Sequence, residues 1–317
     1  MTERIPVILD TDAGVDDAAA IMYLLNDPAV DVKAITTVSG NVSVDKVNRN
    51  VGILLGQDNL DIPIYPGAAL PLWGALSHSE DIMSADGLGG FSLGYNGNIR
   101  PLEAENAAAA LVRLSKQYAG HPGFTIIAIG PLTNIALAVL LDAGFAGRVA
   151  HLVIMGGAVE ARGNISAAAE FNIYVDPEAA AAVFAAGFAD IKVIPWETCL
   201  KAPVPWQVYD RFAALPGPRG QAFGAITRGL AVMQREQFYT QGYILPDLLA
   251  VAVAGGDEVI GSARQVFMEV DTGHSAGRAL TAVRWPPLQG HTPNASVIED
   301  VNLELILQRM EAALNRA

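Results

Sequence analysis

The chain has one cysteine, Cys199, in 317 residues. That excludes an intramolecular disulfide and any zinc site built from several thiolates. Basic residues are scarce as well: 20 Lys and Arg stand against 33 Asp and Glu, a net charge of −13. Such a surface repels a phosphate backbone, which disfavours a nucleic acid polymer as substrate or partner. Charged residues make up only 17% and apolar residues 51%, so disorder is disfavoured and a large core can be built. No apolar run is long enough to span a bilayer. Met1-Thr2-Glu3-Arg4 leads into a strand pattern, without the basic and apolar segments of a signal peptide. The expectation is a soluble, cytoplasmic protein with no membrane partner.

Strand and helix patterns alternate along the chain without a linker or internal repeat, which points to a single domain over 1–317. Pro6 to Leu9, Val32 to Val38, Ile62 to Tyr65, Phe124 to Ile129, His151 to Met155 and Ile191 to Ile194 read as buried strands. Arg264 to Val270 and Ala279 to Arg284 read as two more. Helices are expected over Ala18 to Leu25, Ser43 to Leu55, Asn106 to Tyr118, Asn134 to Leu141, Asp176 to Ala186, Pro246 to Ala254 and Glu299 to Ala313. Pro177 and Pro246 suit first helical positions. Further helices are expected between Pro195 and Gly242, around the break at Leu215 to Pro218. This alternation predicts an α/β fold: a mainly parallel central sheet with helices on both faces and a Rossmann-like core. Between Pro66 and Arg100 the chain is rich in Gly, Ser and Pro. Asp86-Gly87-Leu88-Gly89-Gly90 within it reads as a lid.

The most informative segment is Asp10-Thr11-Asp12-Ala13-Gly14-Val15-Asp16-Asp17-Ala18, with four aspartates in eight residues at a strand-to-helix junction. Ligands of open α/β sheets sit outside the carboxyl ends of the strands. Two like charges ~4 Å apart cost roughly 4 kcal/mol at an effective dielectric near 20, and a bound cation reverses that sign. Hard oxygen donors suit calcium or magnesium, and flexible coordination leans towards calcium. One or two of these aspartates could instead cap the following helix. An EF-hand loop is excluded: its glycine and glutamate positions hold Val15 and Ile21 counted from Asp10, or Asp17 and Tyr23 counted from Asp12.

With that cluster the sequence resembles the inosine-uridine preferring nucleoside hydrolase family, whose signature looks like D-x-D-P-G-x-D-D-A, with Ala13 here in place of the proline. Further segments match in order: Ile35 to Asn41, Gly130-Pro131-Leu132-Thr133-Asn134, Met155-Gly156-Gly157, Gly163-Asn164, Glu170-Phe171-Asn172 and Pro246-Asp247. The likeness runs from Ile5 to about Ala254. It implies a nucleoside hydrolase-like fold and calcium-dependent hydrolysis of the N-glycosidic bond of ribonucleosides to ribose and free base. Asp12, Asp17, Asp247 and the Thr133 carbonyl would hold Ca2+, and Asp12 would take the proton of a metal-bound water. Asp16, Asn41, Met155, Asn164, Glu170, Asn172 and Asp247 would form the ribose site, Asn172 also serving catalysis, with Asp10 orienting the loop from behind. Relatives imply a homodimer or homotetramer. Asn134 reads as the cap of its own helix.

The chain departs from the family where the leaving base is activated. The histidine that many members carry before the last aspartate is Pro246 here, and a second histidine position corresponds to Met83. Candidates for base contacts are Met83, Gln234, Tyr239 and Tyr243, or an aromatic platform from Trp73, Trp196 or Trp206. Of the five histidines only His78 falls near the expected pocket mouth. The alternatives are a non-catalytic nucleoside- or ribose-binding protein on the same scaffold, and a phosphatase-like hydrolase using Asp10-Thr11-Asp12.

Overall fold

The structure is a computed structural model that describes residues 4–238, 240–288 and 290–316. In chain order the strands are β1 (Ile5–Thr11), β2 (Val30–Thr37), β3 (Ile64–Tyr65), β4 (Thr125–Ala128), β5 (His151–Met155), β6 (Ile191–Ile194), β7 (Val204–Pro205), β8 (Gly242–Tyr243), β9 (Ile260–Val270), β10 (Thr281–Arg284) and β11 (Ala295–Val301). The helices are α1 (Val15–Leu24), α2 (Val44–Gln57), α3 (Glu80–Met83), α4 (Ala107–Gln117), α5 (Thr133–Leu141), α6 (Phe171–Val175), α7 (Pro177–Ala185), α8 (Trp196–Lys201), α9 (Trp206–Ala213), α10 (Pro218–Glu236), α11 (Pro246–Gly255) and α12 (Leu303–Asn315).

Among the described residues the main sheet has nine strands in the order β10-β9-β11-β6-β5-β4-β1-β2-β3. It is parallel from β11 to β3, while β9 runs antiparallel to β10 and β11. The parallel strands are apolar on both faces because helices cover both. Along β1, Val7 and Leu9 enter one core with α1 and α11, while Ile8 enters the other with α4, α5 and α7. Strand order reverses at β1, which lies between β2 and β4. The crevice beyond the carboxyl ends of β1 and β4 is therefore the place where an open α/β sheet leaves room for a ligand.

Three expectations are corrected. The segment read as one helix from Glu299 to Ala313 is strand β11 followed by α12. Val297 and Ile298 are both buried, one in each core, so β11 shows no alternation that would mark it as a strand. Asn302 then caps α12 through Leu305 N–H at 3.2 Å. The Asp86 segment is not a free lid. The Asp86 carboxylate accepts Leu88 N–H at 3.1 Å, Gly90 N–H at 2.8 Å and Ser92 N–H at 2.9 Å, and Leu88 is buried. Asn134 does not cap α5: it lies inside the helix and points at β1.

Candidate active site

The turn after β1 brings the aspartates together. Ala13 takes φ 37, a left-handed conformation that L residues adopt at a cost. The Thr11 hydroxyl holds the turn by accepting Ala13 N–H at 3.1 Å and donating to Asp17 Oδ1. Asp17 Oδ2 in turn accepts Gly14 N–H at 2.8 Å, so Asp17 does satisfy one of the free amides at the start of α1. Its position is thereby fixed from two sides.

Asp247 arrives from the first turn of α11, where it caps nothing. Asp16, Asp17 and Asp247 can each offer a carboxylate oxygen, and these oxygens lie within 4.8 Å of one another. Asp12 stands beside this trio rather than in it. Its Oδ2 accepts Asn41 N–H at 2.7 Å, while Oδ1 is buried without a partner. Asp16 Oδ1 is likewise buried and unpartnered. Gly40 is required here: a Cβ at that position would lie 2.1 Å from Asp12 Oδ2.

Burial pushes every one of these carboxyls up. Asp16 rises to about 7, first through desolvation and then through Asp17. Asp12 and Asp247 are raised well above the carboxylate range by burial and by their acidic neighbours, and Asp17 is raised by burial against its hydrogen bonds. Four clustered acids, of which Asp12 and Asp16 each keep an orphaned oxygen, with no cationic side chain among their hydrogen-bond partners, form a site that fits a hard divalent cation. Thr133 stands at the first residue of α5 and gives its hydroxyl to Asp176 at 2.7 Å.

Asp10 lies behind the cluster. Its Oδ1 accepts Thr36 Oγ1 at 2.5 Å and Asn134 Nδ2 at 2.7 Å, while burial lifts it to about 7. Asn134 also donates to Thr37 O at 2.7 Å and accepts Ala68 N–H at 2.9 Å, tying β1, β2 and the following loop together.

The other wall comes from the segment after β5. Glu170 caps the short helix α6, accepting Asn172 N–H at 2.9 Å, Ile173 N–H at 3.3 Å and Gly157 N–H at 2.8 Å. Burial raises Glu170 to about 7. Glu170 and Asn172 thus belong to a helix start. Asn172 gives Nδ2 to Ile129 O at 3.0 Å and Met155 O at 3.1 Å, so Met155 contributes its carbonyl and the Asn172 Oδ1 is left for a donor. Asn164 is exposed and accepts Phe171 N–H at 2.9 Å.

Sequence reasoning missed Glu197, at the start of α8. It accepts Val159 N–H at 3.0 Å, Glu160 N–H at 2.9 Å and Arg162 N–H at 3.3 Å, and so holds the loop that carries Asn164. Its only signal is an acid in the first turn of a short helix.

The base-contact candidates divide. Gln234 spends its amide on Ile244, accepting N–H at 2.7 Å and donating to O at 3.2 Å, so it braces β8. Tyr243 is fully buried, its hydroxyl unpartnered, among Tyr209 and Trp206. Met83 ends α3, half-buried against the core. Tyr239 lies outside the described residues. Trp206 carries Arg235 over its ring and Trp196 packs on the core, whereas Trp73 is exposed at 66%. Among the described residues no helix is long and apolar enough to cross a membrane.

The sequence profile described as inosine-uridine preferring nucleoside hydrolase matches residues 7–308. The non-specific ribonucleoside hydrolase RihC of Klebsiella pneumoniae subsp. pneumoniae is 35% identical over 301 residues, covering 95% of each chain. The protein of the same name from Escherichia coli O127:H6 matches to the same extent, 35% over 301 residues. Among solved structures, the plant nucleoside hydrolase PpNRh1 superposes with a TM-score of 0.91 at 29% identity, over 99% of this chain and 100% of its own. An inosine-guanosine nucleoside hydrolase gives 0.90 at 28% identity over the same shares. These likenesses run through both walls of the crevice and the whole sheet, and the chain belongs to the inosine-uridine preferring nucleoside hydrolase family, hydrolases that act on the N-glycosidic bonds of ribonucleosides.

Proposed function

We propose that this chain is a calcium-dependent ribonucleoside N-ribohydrolase in which Asp12 is the general base. The observation that carries this reading is the convergence of Asp16, Asp17 and Asp247 within 4.8 Å beside Asp12, whose Oδ1 is buried and unpartnered. Calcium held by Asp12, Asp17, Asp247 and the Thr133 carbonyl would cancel the mutual repulsion of the acids and polarise the oxygens brought to it. Oxygen donors without a thiolate or imidazole favour calcium over zinc.

The chain's own residues then do the following. Asp12, fixed by Asn41 N–H at 2.7 Å, takes a proton from the attacking water. Asp16, Asn164, Glu170 and Asn172 receive the ribose hydroxyls, a donor and acceptor mixture suited to a polyol. The buried carboxylates also stabilise the positive charge that develops on the sugar as the C–N bond lengthens. Asp10 acts through Thr36 and Asn134 to keep the end of β1 in place. A homodimer or homotetramer is the proposed assembly, measurable by light scattering.

The test is ribose release from a panel of purine and pyrimidine ribonucleosides, with calcium and with a chelator. Calcium-dependent release of reducing sugar supports the reading, and calcium-independent release overturns the metal assignment.

A further inference from the structure

Ala13 carries the backbone strain of the aspartate turn. It is the only residue from Asp10 to Asp17 with a positive φ, 37. An L residue stays in that region only where its surroundings over-determine it. The proline of the family signature could not adopt this conformation, because its ring fixes φ near about −65 and leaves no N–H. In this chain the Ala13 N–H is used: it donates to Thr11 Oγ1 at 3.1 Å.

The carbonyl of Ala13 is held from another element. Asn50 lies in α2 with no exposed surface. Its Nδ2 donates to Ala13 O at 3.1 Å and to Asp86 O at 2.9 Å, which uses both hydrogens of the amide. A flipped amide would set oxygen against both carbonyls, so the orientation is fixed. Asn50 Oδ1 is then buried without a partner among the described residues. An open acceptor in the interior is destabilising, and the grip on the two carbonyls is what the amide gains in exchange. In a trans peptide the C=O and N–H point to opposite sides. Asn50 therefore holds the Ala13–Gly14 unit from α2, while Asp17 Oδ2 accepts its N–H at 2.8 Å from α1. Asn41 closes in as well, since a Cβ on Gly14 would lie 2.5 Å from Asn41 Nδ2. Asp12 precedes Ala13, and Asp16 and Asp17 follow it, so the angle at Ala13 sets how these carboxylates face one another.

We propose that Asn50 is a positioning residue of the metal site, holding Ala13 left-handed so that Asp12 and Asp17 converge on a divalent cation. The assignment rests on the calcium reading above. Both bonds of Asn50 go to backbone carbonyls, so it acts through the turn and not on the ion. Without Asn50, Ala13 relaxes towards negative φ, and ion binding has to restore the strained turn.

The experiment measures calcium affinity by titration calorimetry on the unaltered chain, Asn50→Ala, Ala13→Gly and the double variant. Asn50→Leu, which keeps the volume but offers no hydrogen, accompanies Asn50→Ala in case the cavity unfolds the chain. Melting temperature in chelator checks folding. Asn50→Ala and Asn50→Leu are expected to weaken calcium about 10- to 100-fold, the scale of a residue that orients metal ligands. Glycine takes positive φ without the cost that alanine bears, so in the Ala13→Gly background the same change is expected to weaken calcium less than about fivefold. A lower melting temperature in chelator with unchanged calcium affinity overturns the assignment, as does an equal loss of affinity in both backgrounds. Ribose release is followed on the same proteins. If the unaltered chain binds calcium and releases no ribose, the hydrolase reading fails while the affinities still decide the role of Asn50. If it binds no calcium, the metal reading and this assignment fall together.

Discussion

Asn134 reaches across the sheet and donates its side-chain amide to Asp10 at 2.7 Å. The same amide group also bonds Thr37 O and Ala68 N–H, so one side chain satisfies polar groups of three segments at the carboxyl end of β1. Truncation removes a partner from each: Asp10 Oδ1 keeps Thr36 Oγ1, while the buried Thr37 O and the half-buried Ala68 N–H lose the Asn134 bond. Asn134→Ala is predicted to lower stability by about 1–3 kcal/mol for each group left unpaired. Thermal melting against Asn134→Asp, which keeps an acceptor for Ala68 but adds a charge beside Asp10, separates the two contributions. The aspartate variant should be the worse in calcium-free buffer.

Removal of one acid from the cluster should remove the ion. Asp247 caps no helix, so Asp247→Asn alters the carboxylate set with little cost to α11. An ion present at about 100 times its dissociation constant adds about 2.7 kcal/mol to the folded state, several degrees of melting temperature for a chain of this size. The variant should lose that increment and at least about 100-fold in turnover. An unchanged calcium shift in differential scanning calorimetry contradicts the ligand role.

The raised carboxyls set the sign of a pH effect. Asp16 and Glu170 sit at about 7 in the folded chain, above their ordinary values of 3.8 and 4.5. The metal-free folded state therefore holds protons that the unfolded chain releases. These groups favour folding fully below the ordinary carboxylate range, and that contribution is lost as pH rises through about 7. Calcium replaces those protons, so the melting-temperature difference between calcium and chelator should grow from pH 5 to pH 8. A difference that is flat or shrinks over that range refutes the electrostatic account of the site.

Glu197 touches no candidate catalytic group, yet it holds three amides of the loop carrying Asn164. Glu197→Ala should loosen the ribose wall, raising KM about tenfold while changing kcat by less than about threefold. Steady-state kinetics on one ribonucleoside decides this. A drop confined to kcat places Glu197 in another role.

The site was legible where chemistry is concentrated in sequence. Four acids in the span Asp10 to Asp17 cannot sit buried together without a counter-charge, and that incompatibility is visible before any fold is known. The sheet was legible where strands alternate with helices, because both faces must be covered. Strand β11 was hidden because its buried pair, Val297 and Ile298, runs straight on towards the helical pattern of α12. Asn134 and Glu197 were hidden for a different reason. Each bonds to segments distant in sequence, and nothing local distinguishes such a residue from a cap or an exposed acid. Gln234 was misjudged in the opposite sense, since its partner Ile244 lies ten residues on and takes both ends of the amide.

The central claim is that Asp12 turns over ribonucleosides in a calcium-filled site. The most direct measurement is reducing-sugar release from the ribonucleoside panel by the unaltered chain and by Asp12→Ala, each with saturating calcium and with chelator. The account predicts release by the unaltered chain in calcium alone, and a loss of at least about 1000-fold in the variant. Binding of calcium and ribonucleoside without release would contradict it, and would identify a protein that binds nucleosides on this scaffold without cleaving them.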